Sequence, residues 1–192
     1  MTVKNLDEYY KKQKSQYNPD AYRMNFTTNH DENTWNGTVF ERFGKAAKTF
    51  AVLCGVVRGM PLVYSGQEAG MDKSLKFFDK DTIDWKKSDF RELYTKLIQL
   101  KLKNKALWNG IAGGEMNRLN TNDDTNIFAF EREKDKNKVV AVFNLSNDEK
   151  EIKINSDKLA NIFTNLFTGK KTRLEKESSF KLKPWGYLVL YK

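Results

Sequence analysis

Apolar positions keep a helical spacing through the first half of the chain and an alternating one through the second. Leu6, Tyr9, Tyr10 and Tyr17 recur at helical intervals over residues 5–17, and Asn18-Pro19-Asp20 stops that helix. Residues 22–27 read as a strand that runs into a polar loop from Glu32 to Gly37. Thr38 and Glu41 fit a capping box, in which each side chain satisfies the other residue's backbone N–H. The helix they open, 38–57, puts Val39, Phe43, Ala46, Ala47, Phe50, Leu53, Cys54 and Val57 on one face. Gly59 can take the left-handed cap and Pro61 cannot continue the helix. Pro61-Leu62-Val63-Tyr64 is apolar throughout, as a buried parallel strand is, and Ser65-Gly66-Gln67-Glu68 turns away from it. After a long loop over 69–88, Ser88 caps a helix with Phe90, Leu93, Tyr94, Leu97 and Ile98 facing inward.

Beyond Lys103-Asn104-Lys105 the period becomes two. Residues 126–131, 138–143, 151–154, 161–167, 180–182 and 185–191 read as strands, with turns at Lys134–Asn137 and Thr168-Gly169-Lys170. Runs this short and this evenly spaced predict an antiparallel β-sandwich. The first half, by contrast, alternates helix and strand with a right-handed parallel crossover. A boundary near Trp108-Asn109-Gly110 divides the chain into 1–108 and 109–192.

Composition narrows the classes. Apolar residues make up 39% and aromatics 13%, enough for a packed core. No apolar run reaches the length of a membrane span, and Met1–Glu8 lacks the apolar centre of a signal peptide. The net charge of +9 raises the question of nucleic acid. The charge is mostly Lys, spread through every segment, without the Arg and aromatic interleaving that reads bases; solvated Lys faces account for it, and neither nucleic acid nor membrane is expected as a partner. Cys54 is the only cysteine, so no internal disulfide forms; its place on an apolar helix face makes it core filler.

The candidate chemistry lies in Arg23-Met24-Asn25-Phe26-Thr27-Thr28-Asn29-His30-Asp31-Glu32-Asn33-Thr34-Trp35. His30, the only histidine, stands beside a carboxylate at the end of a short apolar run. A strand that delivers an acid and an imidazole into a loop is how barrel enzymes place catalytic groups. The plainer reading is that Asn29 and Asp31 cap a turn and His30 is a structural donor. Asp79, Asp81 and Asp84 lack the central Gly and closing Glu of a calcium hand, so capping and turn roles are expected for them and no metal within the segment.

Phe26-Thr27-Thr28-Asn29-His30-Asp31 resembles the seventh barrel strand of the α-amylase family of glycoside hydrolases. Gly59-Met60-Pro61-Leu62-Val63-Tyr64-Ser65-Gly66-Gln67-Glu68 is similar to that family's eighth strand and following turn, at the right distance. Asp81-Thr82-Ile83-Asp84-Trp85 with the helix after it resembles the last barrel loop and helix, and Pro184-Trp185-Gly186-Tyr187 the last strand of the family's C-terminal sandwich. The resemblance implies the C-terminal segment of a (β/α)8 TIM barrel, helix 6 to helix 8, over 1–108, followed by an antiparallel β-sandwich domain over 109–192.

Family members are retaining enzymes acting on α-glucans of the starch and maltodextrin class. Retention uses a nucleophile and an acid/base about 5 Å apart. By resemblance the nucleophilic Asp and the acid Glu come from strands four and five, which this chain does not supply. No Arg-x-Asp ends an apolar strand here, and Gly113-Gly114-Glu115 lies in the sandwich half. The resemblance assigns Asp31 as the acid that favours the cation-like transition state, His30 as the donor to a hydroxyl of the same sugar, and Asn29 as support for the turn. Trp35 is either a stacking platform for the pyranose or a loop aromatic covering the rim. Gln67 and Glu68 read as structural partners, and Trp85, Trp108 and Trp185 as core or interface residues. The chain alone is expected to be inactive, with open barrel edges that invite self-association or a complementary chain; a calcium site elsewhere in such an enzyme stays open. The alternative is a non-catalytic carbohydrate-binding or assembly module that keeps the sandwich, which a row of exposed aromatics on the sandwich would favour.

Overall fold

The computed structural model describes residues 2–192. Helix α1 (Val3–Gln16) starts at Thr2, whose hydroxyl accepts from Asn5 N while the Asn5 side chain accepts from Thr2 N. Strand β1 (Met24–Asn25) pairs in parallel with β2 (Met60–Pro61), and Met60 N and Leu62 N donate to Arg23 O and Asn25 O at 2.8 Å. The runs 22–27 and 60–65, read as full strands, are thus laddered over two residues each. A parallel strand needs a neighbour on each edge, and among the described residues each of these has one. Gly59 makes the approach close enough: at its φ of +125° a Cβ would lie 2.4 Å from Arg23 O.

Between the strands lie α2 (His30–Trp35), α3 (Val39–Phe43) and α4 (Ala47–Val56). The capping box of Thr38 and Glu41 is formed, with Thr38 N to Glu41 Oε2 at 2.8 Å. The single helix expected over 38–57 is broken, because Gly44 takes a φ of +51° after α3 and a 3-10 turn precedes α4. Ser88 caps α5 (Asp89–Lys103) as read. Phe90, Leu93, Tyr94 and Leu97 face inward, but Ile98 is 43% exposed and Leu100 takes the inward place, three residues beyond Leu97. Helix α5 packs closely on α4, where a Cβ on Gly55 would meet Leu97 at 3.1 Å.

The second half holds β3 (Met116–Arg118), β4 (Ile127–Lys134), β5 (Asn137–Asn144), β6 (Lys150–Asn155), β7 (Asn161–Asn165), β8 (Lys171–Leu174), β9 (Glu177–Leu182) and β10 (Tyr187–Tyr191). Six of them form an antiparallel sheet in the order β3-β4-β5-β10-β7-β8, and β6 with β9 forms a second layer. Strands β3 and β8 are additions to the sequence reading. Both are short edges, and β8 carries Lys171 and Arg173, the charged composition that protects an edge and hides its period. Trp185, expected in the last strand, instead turns before it with a φ of +54°.

Strands β4 and β5 are buried on both faces, which explains their near-continuous apolar runs. Phe128, Phe130, Val139, Ala141, Phe143 and Val189 meet the helices in one core with Leu6, Val52, Val56, Leu93 and Leu97. Ile127, Ala129, Val140, Val142 and Leu190 point the other way, onto Ile152, Ile154, Leu159 and Phe163. Cys54 is part-buried and burial pushes its thiol up to about 12, so it stays protonated and inert at neutral pH.

A buried cation ties the halves together. Arg132 is fully buried, on the same side of β4 as Phe128 and Phe130. Its guanidinium donates to Val57 O at 2.8 Å, Gly114 O at 3.0 Å, Trp108 O at 3.1 Å and Val56 O at 3.2 Å. Val56 and Val57 end α4, so a cation here meets both unpaired carbonyls and the negative end of the helix dipole. Lys101 serves the adjoining turn through Gly59 O, Leu107 O and Asn109 Oδ1.

Candidate active site

The carboxyl end of β1 passes into α2 through two buried hydroxyl residues, Thr27 and Thr28. Asn29 caps α2, its Oδ1 accepting from Glu32 N at 2.8 Å. The segment from Glu32, read as a loop, is therefore a helical turn that begins at His30. The reason is local: Asn29 is a good N-cap, and Asp31 and Glu32 sit in the first turn where carboxylates favour the helix dipole. This geometry projects His30 and Asp31 side by side, Nε2 to Oδ2 at 3.6 Å, with side chains 67% and 57% exposed. Among the described residues, neither side chain has a polar partner other than its neighbour in the pair.

The turn beneath them is held firmly. Glu32 pairs with Arg42 at 2.9 Å, and Arg42 donates to Thr27 O at 3.2 Å. Asn33 is buried, donating to Lys73 O at 3.1 Å and accepting from Leu75 N at 2.7 Å. Thr34 donates to Leu75 O at 2.9 Å. These bonds clamp α2 to the loop that follows β2. That loop is folded around Asp81, which accepts from Lys76 N at 3.1 Å and Thr82 N at 2.7 Å and pairs with Lys73. The Lys73 hydrogen bond, with the backbone donors, holds the Asp81 carboxyl at about 2. Asp81 is thus a turn organiser, as expected from its sequence context.

Gln67 is buried and joins three elements: its Nε2 donates to Thr27 Oγ1 at 2.8 Å and to Tyr94 Oη at 3.1 Å, and its Oε1 accepts from Tyr64 N at 2.8 Å. Glu68 accepts from Gly66 N at 3.1 Å. Both are structural, as read. Glu115 pairs with Arg58 at 3.2 Å and Lys14 at 3.5 Å, beside the start of β2 rather than at the strand ends.

The structure brings Asn29, His30 and Asp31 together and leaves Trp35 62% exposed at the end of α2. Trp85, expected in a core or interface, is 57% exposed. Trp185 is an interface residue, its carbonyl bonded by Thr49 and its ring 6.5 Å from Phe50. The sequence reading missed Arg42 and Asn33 as supports. It also missed Phe77, which stands against both His30 (centroids 5.8 Å) and Trp35 (5.6 Å). Its signal was an apolar pair, Phe77-Phe78, inside a charged loop.

Two parallel strands joined through helices, with an acid and an imidazole just beyond the carboxyl end of the first and an antiparallel sandwich after them, fit the closing section of a (β/α)8 barrel. A model of the α-amylase catalytic domain matches residues 1–105, and one of the maltogenic amylase C-terminal domain matches residues 116–189. The chain belongs to the α-amylase family. No curated protein sequence matches it. Among solved structures, it is similar to a noncanonic maltogenic α-amylase, AmyB, from Thermotoga neapolitana, at 17% identity and a TM-score of 0.82, covering 100% of this chain and 46% of that one. It is also similar to an α-amylase from Anoxybacillus (17% identity, TM-score 0.74, covering 100% and 42%). A third is AmyP in complex with maltose (16% identity, TM-score 0.75, covering 99% and 44%). The chain therefore spans less than half the length of these structures.

Proposed function

We propose that this chain supplies the transition-state-stabilising carboxylate, Asp31, and a sugar-binding imidazole, His30, to a retaining glycosidase acting on α-glucans. The observation that carries this is the exposed His30–Asp31 pair at the carboxyl end of β1, inside the stretch matched by the catalytic-domain model. Asp31 accepts from hydroxyls of the sugar as its ring flattens, an interaction that strengthens as positive charge develops. His30 donates to a hydroxyl of the same sugar, and Asn29 fixes both by capping the turn. The nucleophile and the acid/base come from barrel strands other than β1 and β2.

The reading as a mere binding module is disfavoured by where the exposed aromatics lie. Trp35, Phe77, Phe78 and Trp85 all sit in the first half, whereas Phe128, Phe130, Phe143 and Phe163 of the sandwich are buried.

Two results test the proposal. The 192-residue polypeptide alone should release no reducing sugar from soluble starch; turnover that survives rigorous purification would overturn the division of labour. In a polypeptide carrying the complete barrel, His30→Ala should raise KM for maltoheptaose by roughly tenfold, the worth of one hydrogen bond from a charged or polar donor. An unchanged KM would remove His30 from the sugar site.

A further inference from the structure

Asp31 inherits its position from the helix that carries it. His30 is the only polar partner of its side chain among the described residues, so the carboxylate is aimed by the backbone of α2. That helix has six residues. A helix this short does not hold itself together, because ordering its first turn is repaid by too few bonds. Two consecutive side chains supply the seat. Asn33 is 2% exposed and lies against main chain: its Nδ2 donates to Lys73 O at 3.1 Å and its Oδ1 accepts from Leu75 N at 2.7 Å. A donor and an acceptor that meet the C=O and the N–H of residues two apart make the pairing a parallel strand would offer, here from one amide. Thr34 Oγ1 donates to Leu75 O at 2.9 Å, so both polar groups of the Leu75 backbone are answered from α2. Just beyond the helix, Thr38 Oγ1 donates to Asp72 Oδ1 at 2.5 Å. The Glu32–Arg42 pair is a weaker support, since both side chains are about 30% exposed and water screens them. The buried amide dominates, because without it Lys73 O and Leu75 N lose their partners out of reach of bulk water.

We propose that Asn33 and Thr34 are positioning residues for the glycosidase reaction: by stitching α2 to residues 73–75 they set the orientation of Asp31, so that the loop after β2 governs turnover through an acid that follows β1. The inference rests on the reading of Asp31 as the transition-state carboxylate. A charge that acts on a charge developing elsewhere is sensitive to its placement, and a displacement of about 1 Å caused away from the reacting atoms can cost about a hundredfold in rate. The stitch also decides what Asp31 is measured against. Asp31 lies just beyond β1 and residues 73–75 lie beyond β2, so the acid is referenced to both strands at once rather than hanging from one. Only an amide fills the place of Asn33. A carboxylate would set negative charge against Lys73 O, and an apolar side chain of the same size would leave both backbone groups unanswered.

The test is a cycle of variants in a polypeptide carrying the complete barrel, read as kcat on maltoheptaose. Asn33→Ala should lower kcat about tenfold. In an Asp31→Asn background the same substitution should change kcat by less than about twofold, because the group it positions has already lost its charge. Thr34 gives a second pair of variants that does not disturb a buried site. Thr34→Val keeps the shape and removes the hydroxyl, and should lower kcat about threefold; Thr34→Ser keeps the hydroxyl and loses a methyl group, and should restore kcat to the parent's value. A role in packing alone would reverse that order. Should Asn33→Ala fail to fold, the Thr34 pair, measured with and without Asp31→Asn, decides alone. The proposal is overturned by an Asn33→Ala kcat within about twofold of the parent's, by the same fold-loss in both backgrounds, or by Thr34→Ser losing as much as Thr34→Val. Failure of the underlying reading looks different: Asp31→Asn by itself would then leave kcat normal. A slow Asp31→Asn enzyme in which Asn33→Ala keeps its full effect overturns the positioning role and leaves the reading of Asp31 standing.

Discussion

Asp31→Asn, in a polypeptide with the complete barrel, is expected to lower kcat on maltoheptaose by about a hundredfold or more while KM moves little. The substitution keeps the shape of the side chain and removes its charge. A hydroxyl can still be bound in the ground state, but the interaction that grows with the oxocarbenium ion is gone, and such losses fall on kcat. Folding will not confuse the result. The Asp31 side chain is 57% exposed and its one polar partner among the described residues is His30 at 3.6 Å, so only its favourable charge at the start of α2 is lost and the melting temperature should fall by no more than about 4 °C. A variant with near-normal kcat would reduce Asp31 to a turn residue.

The largest effect on stability is expected at the opposite end of the strands. Arg132→Met should cost about 3–5 kcal/mol, read as a fall in the urea midpoint at unchanged slope. Exchanging a buried ion pair for apolar residues is often harmless, because both partners leave together. Here the partners are four backbone carbonyls, of Val56, Val57, Trp108 and Gly114, which cannot leave and would be stranded without donors. Desolvation, with Arg58 adding to it, already pulls the guanidinium down to about 10, but at neutral pH it stays charged. Arg132→Lys should lose roughly half as much, since one ammonium cannot span a fork of four acceptors. An Arg132→Met stability within about 1 kcal/mol of the parent's would show that water replaces the guanidinium.

Much of this was readable in the residues. The period change after Lys105 separated helices from sandwich, Thr38–Glu41 and Ser88 marked helix starts, and the stretch around His30-Asp31 lies within the residues matched by the α-amylase catalytic-domain model. What escaped was set by tertiary partners. Ile98 and Leu100 are equally apolar, and only the line of α4 decides which faces in. Gly44 broke a helix that apolar spacing alone would continue. The strand ladders fell short because strand length depends on neighbours, not on apolar residues. Arg132 was partly legible: its parity with Phe128 and Phe130 put it on an inward face, an unusual place for a charge. The Phe77 cluster was not, since it forms where α2 meets the loop after β2, which Asn33 and Thr34 hold together from opposite ends of a 40-residue separation.

The core that Phe128, Phe130 and Phe143 share with Leu6, Val52 and Leu97 has a consequence for modularity. The two family signatures follow one another along the sequence, over 1–105 and 116–189, inviting treatment as interchangeable parts. Physically they are one cooperative unit, because the helices' apolar cover is the sheet and the sheet's is the helices. A shuffled hybrid would have to carry across the side chains on both sides of that seam, with Arg132 and the carbonyls it serves. The seam sets the grain along which this polypeptide can be divided, and it does not run between the names.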